Sequence, residues 1–247
     1  MKALILGAGY ATRLGELTRD RPKPLLPIAG RPMIEHLLAQ LDGIAEIDGA
    51  YVVTNARFAE HFARWADQRE GRLPITILND GTTSDENKLG AIGDIRFTVE
   101  KAAIADDLFV AAGDNLFDFD LRPFFSFFAE HGSTVGLYDV GRLDLMAQYS
   151  EVRLDSNQRI VHLEEKPAQA TSTFMATALY LYQADHLPLL ERYRAEGGNM
   201  DSPGRFPAWL HQRVPVYGYV FRGRWFDIGT PAQYRQADEI WTQQTPA

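Results

Sequence analysis

The chain has 247 residues, 45% of them hydrophobic, a formal net charge of −8 and no cysteine. That length fits one large globular unit with a sizeable core. The missing cysteine excludes disulfides, thiolate metal sites and cysteine nucleophiles, and the acidic balance argues against a nucleic-acid binder, which needs broad basic surfaces. No apolar run approaches the roughly 20 residues that a bilayer span requires, and the opening ALIL is broken by Gly7, Gly9 and Arg13 too early for a signal peptide, so a cytoplasmic protein with no membrane partner is expected.

KALIL predicts a first strand, and it passes into GAGYATRLGELTRDRPKPLLP, Gly7 to Pro27. A dinucleotide loop would need three glycines, a helix directly after the turn and an acidic residue ending the second strand. Here only two glycines fit, Pro22, Pro24 and Pro27 prevent a long helix, and AYVVT ends in Asn55. A nucleoside triphosphate suits the loop better, with backbone N–H groups along the phosphates and full charges from Arg13 and Lys23. A solvated basic turn would carry the same residues, so the loop alone leaves both open.

Further along, the strand-like runs AYVVT, PITIL, LFVAA and STVGLYDV alternate with the amphipathic segments PMIEHLLAQLDGI, RFAEHFARWADQ and LRPFFSFFAEHG. This βαβα rhythm predicts an α/β fold with a Rossmann-like, mostly parallel sheet flanked by helices. After about residue 140 the pattern becomes α+β. YSEVRLDSNQRIVHLEEKP reads as a hairpin turning at Asp155-Ser156-Asn157, and FMATALYLYQ is another strand. A helix is expected near Leu187 to Glu196, a loop at Gly197 to Gly204, the strand VYGYVF and a last helix from Pro231. No linker interrupts the chain. The expectation is one domain over 1–247, with a nucleotide-binding part over about 1–140 and an acceptor-binding part over about 141–247.

Ligands of open α/β sheets sit beyond the carboxyl ends of the strands. Three such ends carry charge: Gly113-Asp114-Asn115, Glu164-Glu165-Lys166-Pro167, and Arg224-Trp225-Phe226-Asp227-Ile228-Gly229. Singly, Asp114 could close a turn, Lys166 could face solvent and Asp227 could pair with Arg224. Jointly with the opening loop they supply two carboxylates for Mg²⁺ and at least three cations for phosphates. No histidine cluster competes for a metal.

On these motifs the chain resembles the sugar-phosphate nucleotidyltransferases, the family of glucose-1-phosphate thymidylyltransferases and UDP-sugar pyrophosphorylases. The glycine-rich signature ending in PKPLLP, the GD of AAGDN, the EKP of LEEKP and WFDIGT occur in the family's order over nearly the whole chain. The resemblance implies that Gly7, Ala8, Gly9, Tyr10, Ala11 and Thr12, with Gly113, lie along the nucleotide. Arg13 would bind the leaving phosphates and Lys23 would sit at the phosphoryl centre. Asp114 and Asp227 would hold Mg²⁺. Glu165 would take sugar hydroxyls and Lys166 the sugar phosphate, with Ser150, Thr177 and Tyr180 lining the acceptor pocket. Asn87, Lys88 and Gly90 fall where family members approach the base.

Three positions depart from the pattern: Ala11, Ser150 and Ala178 stand where glycine is usual. They leave the reaction untouched and bear on the choice of sugar. The short stretch after Asp227 implies no C-terminal allosteric helices and no acetyltransferase β-helix. The implied activity joins a nucleoside triphosphate, dTTP or UTP, to a sugar-1-phosphate, giving NDP-sugar and pyrophosphate. The oligomeric state is left open between monomer and dimer. Two rivals stand beside this reading: a cytidylyltransferase acting on phosphocholine, a phosphonate or another non-sugar phosphate, and a non-catalytic nucleotide-sensing subunit.

Overall fold

The computed structural model describes residues 1–226 and 228–244, the side chains of Thr12 and Gln244 excepted. β1 (Lys2–Leu6) is followed by 3-10 turns over Thr12–Thr18 and Lys23–Leu25, then by the small hairpin β2 (Pro27–Ile28) and β3 (Arg31–Pro32). The prolines do exclude a long helix here. α1 (Met33–Leu41), β4 (Gly49–Thr54), α2 (Ala59–Gln68), β5 (Ile75–Asn79), α3 (Ala91–Lys101) and β6 (Leu108–Ala112) complete the alternating half. Next come β7 (Leu116–Phe117), α4 (Arg122–His131), β8 (Thr134–Asp139), the hairpin β9 (Ser150–Leu154) and β10 (Ile160–Glu165), and β11 (Phe174–Tyr182). α5 (Leu189–Ala195), α6 (Arg205–Leu210), β12 (Tyr217–Val220), β13 (Trp225–Phe226) and α7 (Pro231–Gln244) close the chain.

One nine-stranded sheet runs β10-β9-β11-β6-β1-β4-β5, with β8 on β11 and β12 on β8. β1 pairs in parallel with both β4 and β6, and β5 continues in parallel on β4. Ala3, Leu4 and Ile5 of β1 are wholly buried, as a central parallel strand covered on both faces requires. Their side chains alternate between two cores. Ala3 and Ile5 pack with α1, α2 and α4, whereas Leu4 packs with α3, α5 and α6. A third, smaller core joins Ile28, Met33, Leu116, Ile228 and Ala237, so α7 is clamped onto the end of the glycine-rich segment.

The expected α/β architecture is present, but its two halves share the sheet. β11, from the second half, inserts antiparallel between β6 and β8. Its register on β8 shifts between Ala176 and Tyr180, around Ala178 at φ 55°, a bulge on both sides of which β8 stays paired along one edge, while the other edge pairs β9 at Met175 and β6 from Leu179. No described helix is long and apolar enough to cross a membrane.

Candidate active site

The glycine-rich loop leaves the sheet at the carboxyl end of β1. Gly7 N donates to Val53 O at 2.8 Å and Gly113 N to Leu6 O at 2.9 Å, carrying the ladder just past the strands. A Cβ on Gly7 would stand 3.0 Å from Phe62 Cζ and 3.1 Å from Val53 O, and one on Gly113 2.9 Å from Leu6 O; Gly9 has nothing within 4 Å. Gly7 and Gly113 therefore let strand ends pack closely, while Gly9 keeps space open. Asn55, fully buried, donates from Nδ2 to Ala8 O at 2.8 Å and accepts from Phe58 N at 3.1 Å. This residue, which in the sequence only argued against a ribose contact, fixes the loop's path. The chain then turns at Ala11, φ 47°, whose carbonyl accepts from Leu14 N and Thr18 Oγ1, both at 3.0 Å. A left-handed alanine costs roughly 1–2 kcal/mol, which is why glycine is at home there. The Thr12 side chain lies outside the described set.

Beneath the loop opens a cavity of about 420 Å³ lined by Gly7 to Ala11, Arg13, Lys23 and Asp114 on one side and by Asp85, Lys88, Gly90, Asp94 and Asp201 on the other. Lys23 Nζ meets Asp114 Oδ2 at 2.6 Å. Partial burial disfavours ionised Asp114, but the Lys23 ammonium, with a weaker contribution from Arg13, holds its carboxyl below the ordinary carboxylate range. Arg13 is exposed and makes no hydrogen bond or salt bridge among the described residues.

The opposite wall is tied to the second half of the chain. Ala91 N donates to Asp201 O at 3.0 Å and Ile92 N to Met200 O at 2.9 Å, so loop 197–204 satisfies the first N–H groups of α3. Gly90 makes this approach possible: at φ 79° its absent Cβ would lie 2.4 Å from Met200 O. Lys88 bridges Asp201 at 3.1 Å and Asp85 at 3.3 Å, and the hydrogen bond to Asp201 raises its pKa. Asn87 stands apart from the lining. Its Oδ1 accepts from Thr83 N at 3.1 Å and Ser84 N at 3.0 Å, closing its own loop as asparagine does in turns.

A second cavity, about 360 Å³, shares Arg13, Lys23 and Asp114 with the first and is lined beyond them by Ser150, Glu165, Thr177, Ala178 and Tyr180. Ser150 Oγ donates a short hydrogen bond to Glu165 Oε2. A Cβ on Gly204 would stand 2.7 Å from Ser150 Oγ, so that glycine closes the cavity's rim. Thr177 is buried and donates to Gly136 O at 2.9 Å, and burial together with the Glu165 carboxylate raises the Tyr180 phenol. Ala178 O accepts from Asn115 Nδ2 at 3.2 Å, while Asn115 Oδ1 accepts from Trp225 Nε1 at 2.9 Å. This chain of bonds, unread in the sequence, holds the residue after Asp114 against the bulge of β11.

Two expected residues need separate mention. Lys166 is exposed with a left-handed backbone, φ 53°, and its amide donates to Tyr149 O at 2.9 Å; it follows Glu165 but is not part of either lining. Asp227 lies outside the described residues, between Phe226 and Ile228, which both line the second cavity. Arg224 bonds Asp118, at 2.7 Å from Nε to Oδ2. Among the described residues no group of three or more His, Cys, Asp or Glu is placed to hold a metal. Asp114, where the two cavities meet, is the described carboxylate of the expected pair.

Residues 2–244 match the family described as Nucleotidyl transferase. A UTP–glucose-1-phosphate uridylyltransferase from Synechocystis sp. is 31% identical over 252 residues, covering 96% of this chain and 62% of that protein. The mannose-1-phosphate guanylyltransferase catalytic subunit beta of Drosophila melanogaster is 26% identical, covering 94% of this chain and 60% of that protein. The chain thus spans about three fifths of the length of these curated relatives. Apo UDP-glucose pyrophosphorylase superposes with a TM-score of 0.83 over 98% of both chains at 19% identity, a likeness of fold.

Proposed function

The chain belongs to the nucleotidyl transferase family, and from that premise we propose that it joins a nucleoside triphosphate to a sugar-1-phosphate, releasing pyrophosphate. The observation that carries this reading is the face common to the two cavities, where Arg13, Lys23 and Asp114 stand together. A triphosphate in the first cavity and a phosphorylated acceptor in the second would present their phosphorus-bearing ends to the same three side chains. dTTP or UTP is proposed as the triphosphate, the uridylyl-transferring relative favouring UTP, and the substrates are those of the cytoplasm.

In the proposed reaction an oxygen of the sugar phosphate attacks the α-phosphorus, the bond to the β-phosphate oxygen breaks in line, and pyrophosphate leaves with the electron pair. No protein nucleophile is needed, since a phosphate dianion already attacks. The protein must bring two anions together and offset the charge that develops. Lys23 neutralises the phosphoryl centre, and exposed Arg13 turns onto the departing phosphates. Glu165, oriented by Ser150, accepts from hydroxyls of the sugar.

Asp114 offers hard oxygen at the junction, the donor chemistry that Mg²⁺ takes when one or two carboxylates and substrate oxygens share it, and Asp227 is proposed as its second carboxylate. When bound, Mg²⁺ would supply electrostatic neutralisation of the phosphates. The test is a panel of common triphosphates against sugar-1-phosphates, phosphocholine and Mg²⁺, following pyrophosphate. Release with a sugar-1-phosphate supports the reading. Release with phosphocholine alone favours the cytidylyltransferase rival, and release with no pair leaves the nucleotide-sensing role.

A further inference from the structure

Two carboxylates, Asp94 in the wall of the first cavity and Asp80 at the end of β5, each bury an oxygen that no described donor serves. Asp94, in the first turn of α3, is only 6% exposed and lines the cavity; its Oδ1 is buried with no hydrogen-bond donor. Asp80, directly after β5, has Oδ2 buried in the same condition. Its Oδ1 is well served, accepting from Thr82 N and Thr82 Oγ1, both at 2.7 Å. Neither oxygen has a hydrogen-bond partner among the described residues, and the two carboxyls lie near enough for the Asp80 charge to act on Asp94. Two ionised carboxylates cannot bond each other, because each only accepts. One shared proton would give both oxygens a partner. Asp80 has donors that stabilise its anion and Asp94 Oδ1 has none, so the proton belongs on Asp94.

We propose that Asp94 is a positioning residue of the first cavity, its carboxylic acid donating to the Asp80 carboxylate and so fastening the loop between β5 and α3, with Asp85 and Lys88, against the helix. What the cavity holds rests on the transferase reading above. Burial first, then the charge and hydrogen bond of Asp80, push the Asp94 pKa up to about 8. The surrounding charges do not offset this. Lys88 is taken by Asp85 and Asp201, and Lys23 by Asp114. α5, which packs on α3, sends Glu191 to Arg96, while Arg194 bonds the same Glu191. β1 contributes Lys2, paired with Asp48, and β4 the phenol of Tyr51. Arg13 lines the same cavity and is exposed. Above the pKa of Asp94 two anions would repel across the pair, and the loop would lose its hold on α3.

The experiment measures triphosphate binding by calorimetry at pH about 7 and about 9, in the wild type, Asp94→Asn, Asp94→Ala and Asp80→Asn, with the panel triphosphate that binds the wild type. Wild-type Kd should rise about tenfold more over this interval than the Kd of Asp94→Asn, whose amide donates to Asp80 without titrating. Asp80→Asn, donating to an ionised Asp94, should also lose the excess dependence. Asp94→Ala should bind weakly at both pH values. The acceptor's KM should show no such excess, since neither carboxylate lines the second cavity.

A fold readout accompanies it. The folded pKa lies above the ordinary value of 3.8, so wild-type stability relative to Asp94→Asn should fall as pH rises from about 4 towards about 8 and level off beyond. A constant difference across that window, or wild-type binding no more pH-dependent than that of Asp94→Asn, overturns the proposal while the transferase reading stands. A wild type that binds no triphosphate at either pH overturns both.

Discussion

Lys23 Nζ lies 2.6 Å from Asp114 Oδ2, a contact made across 91 residues of sequence at the place where two cavities meet. The Lys23 side chain is 13% exposed and that of Asp114 41%, so the pair is screened only in part. Without substrate each neutralises the other. Phosphate groups arriving on both sides would compete for the lysine, and the freed carboxylate would be left to a divalent cation. The pair is thus a resting arrangement of the charges that the proposed reaction redistributes.

Removing the lysine should therefore be felt in rate and in acid stability. Lys23→Ala should lower kcat by about 10²- to 10³-fold, the loss typical of one preorganised group facing developing charge. The Asp114 pKa is depressed in the folded protein, so its contribution to stability is present above the ordinary value of 3.8 and lost as pH falls through the folded pKa. The variant loses the chief cause of that depression. Its deficit in Tm should be larger at pH about 7 than at pH about 3, as thermal scans at both would show.

Chelation and Asp114→Asn should act alike. Because a neutral amide cannot offset the charge of Mg²⁺, the variant should fall to a small fraction of wild-type turnover, and EDTA should bring the wild type to the same level. Added Mg²⁺ should rescue the chelated wild type and not the variant. Turnover of wild-type protein at full rate in metal-free buffer would remove Asp114 from its proposed role.

Gly90→Ala tests the tie between the two halves. Its Cβ would meet Met200 O at 2.4 Å with the backbone at φ 79°. Backbone strain of that kind costs about 1–3 kcal/mol, and displacing Met200 would also strand the N–H groups of Ala91 and Ile92. The expected result is a lowered Tm and a raised triphosphate KM, with the acceptor KM changing less. Gly9→Ala, next to open space, should leave Tm nearly unchanged and act on triphosphate binding alone.

Lys166 asks whether β10 is the acceptor wall. Exposed at the strand's end, it can reach an anion in the second cavity only by swinging inward, so it contributes when the acceptor is bound. Lys166→Ala should raise the sugar-phosphate KM about tenfold, with the triphosphate KM unchanged, in steady-state kinetics that vary one substrate at a time. An unchanged acceptor KM would detach β10 from the acceptor.

Some of this was legible in the sequence because the physics is local. KALIL, AYVVT and LFVAA announce buried parallel strands by continuous apolar runs, and Asp114 and Glu165 stand out as charge just past a strand end. What stayed hidden depends on pairing between distant segments. Nothing in FMATALYLYQ says that it enters between β6 and β8, because periodicity fixes which side chains share a face but not which strand lies alongside. Ala11 and Ala178 could be noticed as departures from glycine; their cost became clear only with φ at 47° and 55°. Nothing in the sequence sets Asp94 apart, because the carboxylate that acts on it, Asp80, belongs to another segment. The loop at 197–204 is legible, but its hold on α3 and the role of Asn55 stay hidden for the same reason, since their partners are backbone groups far away in the chain. The two-residue strands and α6 are too short to carry a pattern.

The proposed transfer is a single in-line displacement at the face shared by the two cavities, with no nucleotide attached to the protein on the way. The stereochemical course of transfer measures this most directly. A triphosphate with one α-oxygen replaced by sulfur, of known configuration, is turned over with a sugar-1-phosphate, and the configuration at the α-phosphorus of the NDP-sugar is read by phosphorus NMR. One displacement inverts the centre, which is the result predicted for Arg13, Lys23 and Asp114 acting on two substrates bound side by side. Retention would mean two displacements through a nucleotidylated side chain and would contradict the account.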